Sequence, residues 1–90
     1  MNKAELVSRV SRVTRLSRVQ VARVVDSLLE QIARALRRGD RASLVGFGTF
    51  TVARRRARAG RNPQTGDRIE IPARRVARFT AGRALKAGLR

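Results

Sequence analysis

Residues 53–75 read ARRRARAGRNPQTGDRIEIPARR, and this stretch decides what kind of fold the chain forms. It holds eight arginines against two acids, Asp67 and Glu70, which leaves a net charge of +6. The segment Gly60 to Gly66 is rich in turn-forming residues, and Ile69-Glu70-Ile71 beyond it alternates as a β-strand does. Because two extended runs joined by a turn carry almost no apolar side chains, the stretch predicts a long β-hairpin that does not pack on a core. We call residues 53–75 the β-arm.

The charge of the whole chain indicates a polyanionic partner. Its 90 residues include 22 Lys and Arg against six Asp and Glu, a net charge of +16. Such a field repels copies of the same chain and attracts polyanions. Only Lys3 and Lys86 are lysines, and the arginine guanidinium pairs bidentately with phosphate and fits narrow minor grooves. A GC-rich genome also favours arginine codons, but that bias does not explain the net charge.

The length of the β-arm suits a nucleic-acid duplex. A two-stranded ribbon with nothing to pack against is marginally stable in water, so a bound partner is needed to hold it. Strands of roughly ten residues reach about 30 Å at about 3.3 Å per residue, enough to pass part of the way around a duplex. The alternative is a disordered, solvated loop. The alternation of Ile69 and Ile71 and the central turn favour the hairpin.

Apolar periodicity predicts two helices before the β-arm. Asn2 with Glu5, and Ser17 with Gln20, have capping-box spacing, so the helices should start there and the first should run over residues 3–14. Gly39 is a typical helix stop for the second. Its apolar stripe is wide enough to cover the first helix on one side and a second subunit on the other, and it includes Val21, Val25, Leu28, Ile32 and Leu36, flanked by Val24, Leu29 and Ala33.

The remaining segments predict a small sheet and a short helix. Residues 42–45 and 49–52 read as strands joined by a tight Gly46-Phe47-Gly48 hairpin, from which Phe47 should tuck back into the core. Residues 76–79 read as a strand that returns to the body, and a short helix should start at Thr80 or Ala81.

The predicted fold is therefore α+β, in a single domain over residues 1–90. It has a helical base of two N-terminal helices, a three-stranded antiparallel sheet extended into the long β-arm, and a short C-terminal helix. We expect a helical dimerisation base over 1–40, a sheet body over 41–52 and 76–81, the β-arm over 53–75 and the C-terminal helix over 82–90.

Dimerisation should supply the burial that a single chain of this size lacks. A lone domain of 90 residues has little core, and the absence of cysteine excludes disulfides as a substitute. We therefore expect a homodimer. The residues expected in its core are Leu28, Leu29, Ile32, Leu44, Phe47, Phe50 and Phe79.

Other classes of protein fit less well. The chain has no histidine and no cysteine, its six acids are scattered, and no phosphate-binding glycine loop precedes a lysine, so we expect no enzyme, no metal and no cofactor. No window is apolar enough to span a membrane, and the N-terminus lacks a signal-type apolar core, so we expect a cytoplasmic protein. An RNA-binding protein of ribosomal type would show exposed aromatic residues for base stacking. A helix-turn-helix regulator would not need the β-arm.

Pro63, at the predicted tip of the β-arm, has two interpretations. Asn-Pro favours turn initiation, and composition alone favours this simple role. The alternative is an apolar wedge pushed between base pairs, as minor-groove architectural proteins use.

Three motifs resemble the bacterial HU proteins, relatives of integration host factor. They are Leu44-Val45-Gly46-Phe47-Gly48-Thr49-Phe50, Gly60-Arg61-Asn62-Pro63-Gln64-Thr65-Gly66 and Phe79-Thr80-Ala81-Gly82-Arg83-Ala84-Leu85-Lys86. The resemblance covers the whole chain. It implies an intertwined dimer with two β-arms that embrace DNA, and it implies that Pro63 intercalates.

The resemblance also implies roles for individual residues. Arg55, Arg58 and Arg61 would line the DNA-facing side of the arm, and Lys3, Arg83 and Lys86 would contact phosphates along the body. Phe47, Phe50 and Phe79 would form a shared aromatic core, and Asp26 would lie near Lys3. The full set of expected DNA-binding residues is Lys3, Arg54, Arg55, Arg56, Arg58, Arg61, Asn62, Pro63, Arg74, Arg75, Arg83 and Lys86. The sequence departs from the family where Ala53 and Thr80 replace residues that are often basic.

The expected function is sequence-nonspecific binding of double-stranded DNA through the minor groove and the phosphate backbone, with bending and compaction in the nucleoid. Site-selective bending, as in integration host factor, is the alternative. Site-selective members usually work as heterodimers and read DNA deformability. This chain is suited to pair with a second copy of itself, which favours the nonspecific type. No small-molecule substrate is expected.

Overall fold

The computed structural model describes residues 1 to 90, and its elements have the predicted α+β order. In chain order they are α1 (Lys3–Thr14), α2 (Arg18–Arg37), β1 (Ala42–Leu44), β2 (Gly48–Arg55), β3 (Arg58–Arg61), β4 (Arg68–Ile71), β5 (Arg74–Ala81) and α3 (Arg83–Ala87). Two compact units make up the chain, Met1–Arg34 and Ala35–Arg90. None of the three helices is both long and apolar enough to cross a membrane.

Both N-terminal helices begin at the polar residues that the sequence marks as caps. The side-chain oxygen Oδ1 of Asn2 accepts a hydrogen bond from the amide of Glu5 at 2.9 Å. Ser17 and Gln20 form the complete reciprocal pair, since Ser17 Oγ accepts from the Gln20 amide at 3.1 Å and Gln20 Oε1 accepts from the Ser17 amide at 3.0 Å. These bonds satisfy amide groups that have no partner within the helix.

The three-stranded antiparallel sheet has the strand order β1-β2-β5. A turn over residues 45–47 joins β1 to β2, and Gly46 at its centre has φ of +81°, a conformation that favours glycine. Gly48 is required for a different reason. A Cβ atom built there would collide with the Phe79 ring and lie 2.7 Å from the carbonyl oxygen of Thr80. The sheet therefore closes tightly only with glycine at this position.

The outer part of the β-arm forms a hairpin, as predicted, but as a two-stranded sheet of its own and not as a continuation of the three-stranded sheet. Strands β3 and β4 pair with each other in antiparallel register, apart from the three-stranded sheet. We call residues 58–71 the distal ribbon. Between positions 56 and 73 every residue is exposed except Gly60, Asn62 and Ile71, which are half-buried. The distal ribbon is therefore not packed into the core of its own chain.

The boundary between sheet body and distal ribbon lies further out than position 53, where the sequence placed it. The ladder of β2 and β5 continues past Ala53, which pairs with Val76, as far as Arg55, which pairs with Arg74. It is interrupted at residues 56–57 and 72–73. Pro72 has no amide hydrogen to donate, which explains the break on that side. Apolar alternation stops at Ala53 although backbone pairing continues, so the sequence pattern alone ended the body too early.

The last helix starts as the boundary between residues 81 and 82 predicts, and not at Thr80 or Ala81. Thr80 and Ala81 do not open a helix, because they pair with Thr49 and Gly48 as the last residues of β5. Gly82 is the N-cap, and α3 starts at Arg83. The position of α3 is fixed by the turn before β2, since the Gly82 amide donates to the Phe47 carbonyl at 2.7 Å.

A single chain leaves much of its apolar surface uncovered. Val7 and Val21 are the only apolar residues that are buried within it. Phe47, which the sequence predicts in the core, lies in the turn and is 50% exposed in one chain. Of the expected dimer-core residues, Leu28, Leu29, Phe47 and Phe79 are exposed in one chain, and Ile32, Leu44 and Phe50 are half-buried. Exposed apolar surface on this scale marks an interface.

Candidate nucleic-acid interface

The register of β2 and β5 separates the sheet into an aromatic face and a polar face. Residues directly opposite each other in an antiparallel pair lie on the same face. Phe50 is opposite Phe79, and their ring centroids are 4.8 Å apart. The ring of Phe47 lies 5.7 Å from that of Phe79 on the same cluster. This aromatic face is the side of the sheet that contributes to a core.

The polar face presents hydroxyl groups and guanidinium groups. Thr49 is opposite Thr80, and its Oγ1 lies 3.3 Å from Ser43 Oγ on β1. Further along the same face come Thr51 opposite Arg78, the apolar pair of Ala53 and Val76, and then Arg55 opposite Arg74. Hydroxyl and guanidinium groups are the donors that bind phosphate oxygens in DNA complexes. The polar face is therefore the candidate phosphate-binding face of the sheet.

The distal ribbon has two faces of different chemistry. One face carries Arg58 and Gly60 of β3 opposite Ile71 and Ile69 of β4. A Cβ atom at Gly60 would lie 3.1 Å from Ile71 Cδ1, so glycine lets the isoleucine side chains cover this part of the backbone. The other face pairs Arg61 with Arg68, next to Ala59 opposite Glu70.

Three arginine pairs face each other directly across the ladders of the β-arm. They are Arg54 with Arg75, Arg55 with Arg74, and Arg61 with Arg68. Like charges directly opposite each other destabilise a free antiparallel pair. The ion pairs of Lys3 with Asp26 and of Arg38 with Asp40 lie on other elements and do not relieve this repulsion. For Arg55 with Arg74 and for Arg61 with Arg68, phosphate groups bound at the paired guanidinium groups would relieve it, and phosphate has the right charge and geometry.

The tip of the β-arm is a tightly bonded turn that displays Pro63. The Asn62 amide donates to the Asp67 carbonyl at 2.8 Å, and the Gly66 amide donates to the Asn62 carbonyl at 2.7 Å. Asn62 Oδ1 accepts from the Gln64 amide at 2.9 Å, so this side chain serves the turn itself. Pro63 is exposed. The turn thus holds an apolar ring at the outer end of a cationic ribbon.

The residues expected to contact phosphates along the body, Lys3, Arg83 and Lys86, are exposed, and Lys3 already has a partner within the chain. Lys3 Nζ forms an ion pair with Asp26 Oδ1 within the same chain, which agrees with the proximity expected from the resemblance. Both side chains are more than half exposed, and surface pairs of this kind are worth little, so a phosphate can replace the carboxylate. Arg83 and Lys86 are exposed on α3, three residues apart on one helix side.

Arg75 differs from the other expected DNA-binding arginines. It shares a face with Phe79 on β5, and its Nη1 donates to the carbonyl of Arg37 at the end of α2, at 2.8 Å. Arg74, its neighbour, lies on the polar face. The structure therefore separates two adjacent arginines that the sequence analysis treated alike.

Two arginines of the candidate interface were missed from the sequence. Arg78 lies on the polar face opposite Thr51, and Arg68 lies opposite Arg61. The sequence contains the pattern that identifies both residues. Counting by twos from Phe79, which belongs to the aromatic face, puts Arg78 on the other face, and the turn at 62–67 puts Arg68 beside Arg61.

Comparison with known proteins finds close relatives along the whole chain. Residues 1–90 match the family described as bacterial DNA-binding protein. DNA-binding protein HU of Geobacillus stearothermophilus is 48% identical over 86 residues, which is 96% of each chain. DNA-binding protein HU 1 of Bacillus subtilis is 50% identical over 86 residues, 96% of this chain and 94% of that one. Among solved structures, Anabaena HU in a cocrystal with DNA matches with a TM-score of 0.92 and 43% identity, covering 99% of this chain and 97% of that one.

Proposed function

The chain belongs to the bacterial DNA-binding protein family, and from that membership we propose that it is an architectural protein that binds duplex DNA without sequence preference and bends it. The Anabaena relative, whose structure this chain matches over almost its full length, was crystallised with DNA. The observation that carries the proposal is the set of exposed guanidinium groups on the polar face and along the β-arm.

The grip on DNA comes from phosphate neutralisation. Each arginine or lysine that meets a phosphate releases condensed counterions, which drives binding irrespective of sequence. We assign this role to Arg55, Arg74 and Arg78 on the polar face. The same role falls to further basic residues of the β-arm and of the helices, namely Lys3, Arg54, Arg56, Arg58, Arg61, Arg68, Arg83 and Lys86. Since phosphate contacts carry no base information, the protein binds without sequence preference.

The bend comes from the tip of the β-arm. Pro63 is an exposed apolar ring held by the bonded turn at 62–67, and Asn62 contributes by building that turn. Minor-groove architectural proteins insert such apolar residues between base pairs and regain the unstacking cost through contacts that the bent duplex permits. Pro63 is therefore the wedge, and the arginines on the ribbon are the clamp.

The functional unit is an intertwined homodimer with two β-arms. Leu28 and Leu29 on α2 and Phe47 and Phe79 in the sheet unit are about half exposed in one chain, and a second copy covers such surfaces. Two arms allow one dimer to hold a duplex at two places. Neither the site-selective alternative nor the RNA-binding alternative is favoured, since the matching relatives are HU proteins.

The proposed cellular location and the kind of activity follow from DNA as the binding partner. A protein that binds chromosomal DNA acts in the cytoplasm, at the nucleoid, where it bends and compacts DNA. Its work is binding and bending rather than catalysis, and it calls for neither a cofactor nor a small-molecule substrate.

A gel-shift series tests the proposal. Purified protein is titrated against several unrelated duplexes of equal length, from 50 to 200 mM salt, with single-stranded DNA of matched length as control. We expect equal affinity for the duplexes and a log–log salt slope of several units. A slope near zero, or binding to one duplex alone, contradicts the proposal.

A further inference from the structure

The last three carbonyl groups of α2 each accept a hydrogen bond, and one of these bonds comes from a distant side chain. The Ala35 carbonyl accepts from the amides of Arg38 at 3.2 Å and Asp40 at 2.9 Å, and the Leu36 carbonyl accepts from Gly39 at 3.0 Å. The carbonyl of Arg37, the last helical residue, accepts from Nη1 of Arg75 at 2.8 Å. Terminal helix carbonyls lack a partner within the helix, and a cation is favourable there because of the helix dipole.

The position of Arg75 in the sheet makes this contact informative. Arg75 is the second residue of β5 and pairs with Arg54, one rung inside the point where the ladder breaks before the distal ribbon. It lies on the aromatic face, whereas Arg74 and Arg78 lie on the polar face. A guanidinium held against a helix carbonyl on the aromatic face is not directed at a duplex lying on the polar face.

We propose that Arg75 is a positioning residue, which ties the base of the β-arm to the last turn of α2 and does not bind phosphate. The contact joins the two strands that lead into the distal ribbon to the end of a helix in the same compact unit. It fixes the direction in which the ribbon leaves the sheet. Arg74, adjacent in sequence, is the phosphate-binding member of the pair.

The first test uses the protein without DNA, and so it is independent of the proposed function. Amide hydrogen exchange is measured by NMR for wild type, Arg75→Ala, Arg75→Lys and Arg74→Ala. In Arg75→Ala we expect the amides of Gly39 and Asp40 to exchange roughly two- to fivefold faster, as the last turn of α2 loses a cationic partner. Arg75→Lys should restore much of the protection, because an ammonium group also donates to a carbonyl. Arg74→Ala should leave these amides unchanged. Equal exchange in Arg75→Ala and wild type overturns the proposal.

The second test uses DNA and rests on the proposed function. The salt slope of duplex binding is compared among the same four proteins. Arg74→Ala should lower the slope by about 0.9 for each arginine that contacts a phosphate, whereas Arg75→Ala should keep the wild-type slope. Ring closure of a short duplex should fall in Arg75→Ala and recover in Arg75→Lys, because the arm loses and regains its direction. A slope reduced as much by Arg75→Ala as by Arg74→Ala overturns the proposal. If no protein of the set binds DNA, the proposed function fails while the exchange result stands.

Discussion

The opposed pair of Arg61 and Arg68 in the distal ribbon yields the sharpest prediction about DNA binding. The two residues face each other across the β3–β4 ladder, and the next pair on the same face is Ala59 with Glu70. The perturbation is Arg68→Ala, because Arg68 was identified from the register rather than from any motif. Arg61→Ala is the companion change.

The expected magnitude follows from the dimer. Each substitution removes two guanidinium groups, one per arm, and each phosphate contact contributes about 0.9 to the salt slope on B-DNA. Arg68→Ala should therefore lower the slope by about 1.8. Across the fourfold change from 50 to 200 mM salt, the wild type should lose about twelvefold more affinity than the variant does. The free protein should not be weakened, because removal of one of two like charges relieves roughly 0.2–1 kcal/mol of repulsion.

Fluorescence anisotropy with a labelled duplex, at five or more salt concentrations, measures the slope. Arg38→Ala is the matched control, because it also removes one positive charge per chain, yet Arg38 lies in the turn after α2, outside the polar face and the β-arm. We expect the control to keep the wild-type slope. Thermal unfolding without DNA shows whether each variant is folded.

Two results would contradict this prediction. If Arg68→Ala keeps the wild-type slope while Arg61→Ala lowers it, Arg68 does not contact a phosphate of its own in the complex. If Arg68→Ala melts well below wild type without DNA, the two guanidinium groups do not repel each other in the free arm.

Three further predictions concern Pro63, the phenylalanine cluster and Gly48. Pro63→Ala should reduce ring closure of a short duplex far more than it reduces affinity, and equal ring closure would exclude Pro63 as the wedge. Phe79→Ala removes the ring that contacts both Phe47 and Phe50, so we expect a loss of about 3–5 kcal/mol in unfolding free energy and a melting temperature that depends on protein concentration. An unchanged melting curve would show that Phe79 lies outside the core. Gly48→Ala should destabilise the fold by about 1–3 kcal/mol in chemical denaturation, because its Cβ meets the Phe79 ring and the Thr80 carbonyl, and a neutral effect would mean that β5 shifts freely.

Local signals in the sequence were sufficient for the helices and for the tip of the β-arm. The capping pair of Ser17 and Gln20 places the start of α2 within one residue, because both of its hydrogen bonds span only three positions. The glycine-rich turn at residues 60–66 places the end of the hairpin for the same reason. Interactions of short range in the chain leave clear patterns in the sequence.

The start of the distal ribbon and the start of α3 depend on pairing between strands, which the local sequence pattern does not contain. Position 53 marks the end of apolar alternation, but the backbone ladder continues to Arg55 because hydrogen bonds between strands do not depend on side-chain polarity. Thr80 and Ala81 suit a helix start equally well by composition. They stay in β5 because Thr49 and Gly48 of β2 are available to pair with them.

The assignment of arginines was predictable only in part. Alternation by twos from Phe79 separates Arg78 and Arg74 from Arg75 and assigns them to opposite faces. The acceptor of Arg75 lies 38 residues away in sequence, and no spacing rule connects a strand residue to a helix carbonyl at that distance. Only the folded unit brings the two groups together.

The β-arm takes all of its positive charge from arginine, and this choice has a chemical consequence. Enzymes and reagents that acylate side-chain amines find only Lys3 and Lys86 in the chain, and neither belongs to the β-arm. Acetylation would therefore alter the proposed phosphate contacts of Lys3 and Lys86 and leave the positive charge of the β-arm unchanged. A dicarbonyl reagent, which condenses with guanidinium groups, would modify the arginines of the β-arm that amine-directed reagents leave unchanged.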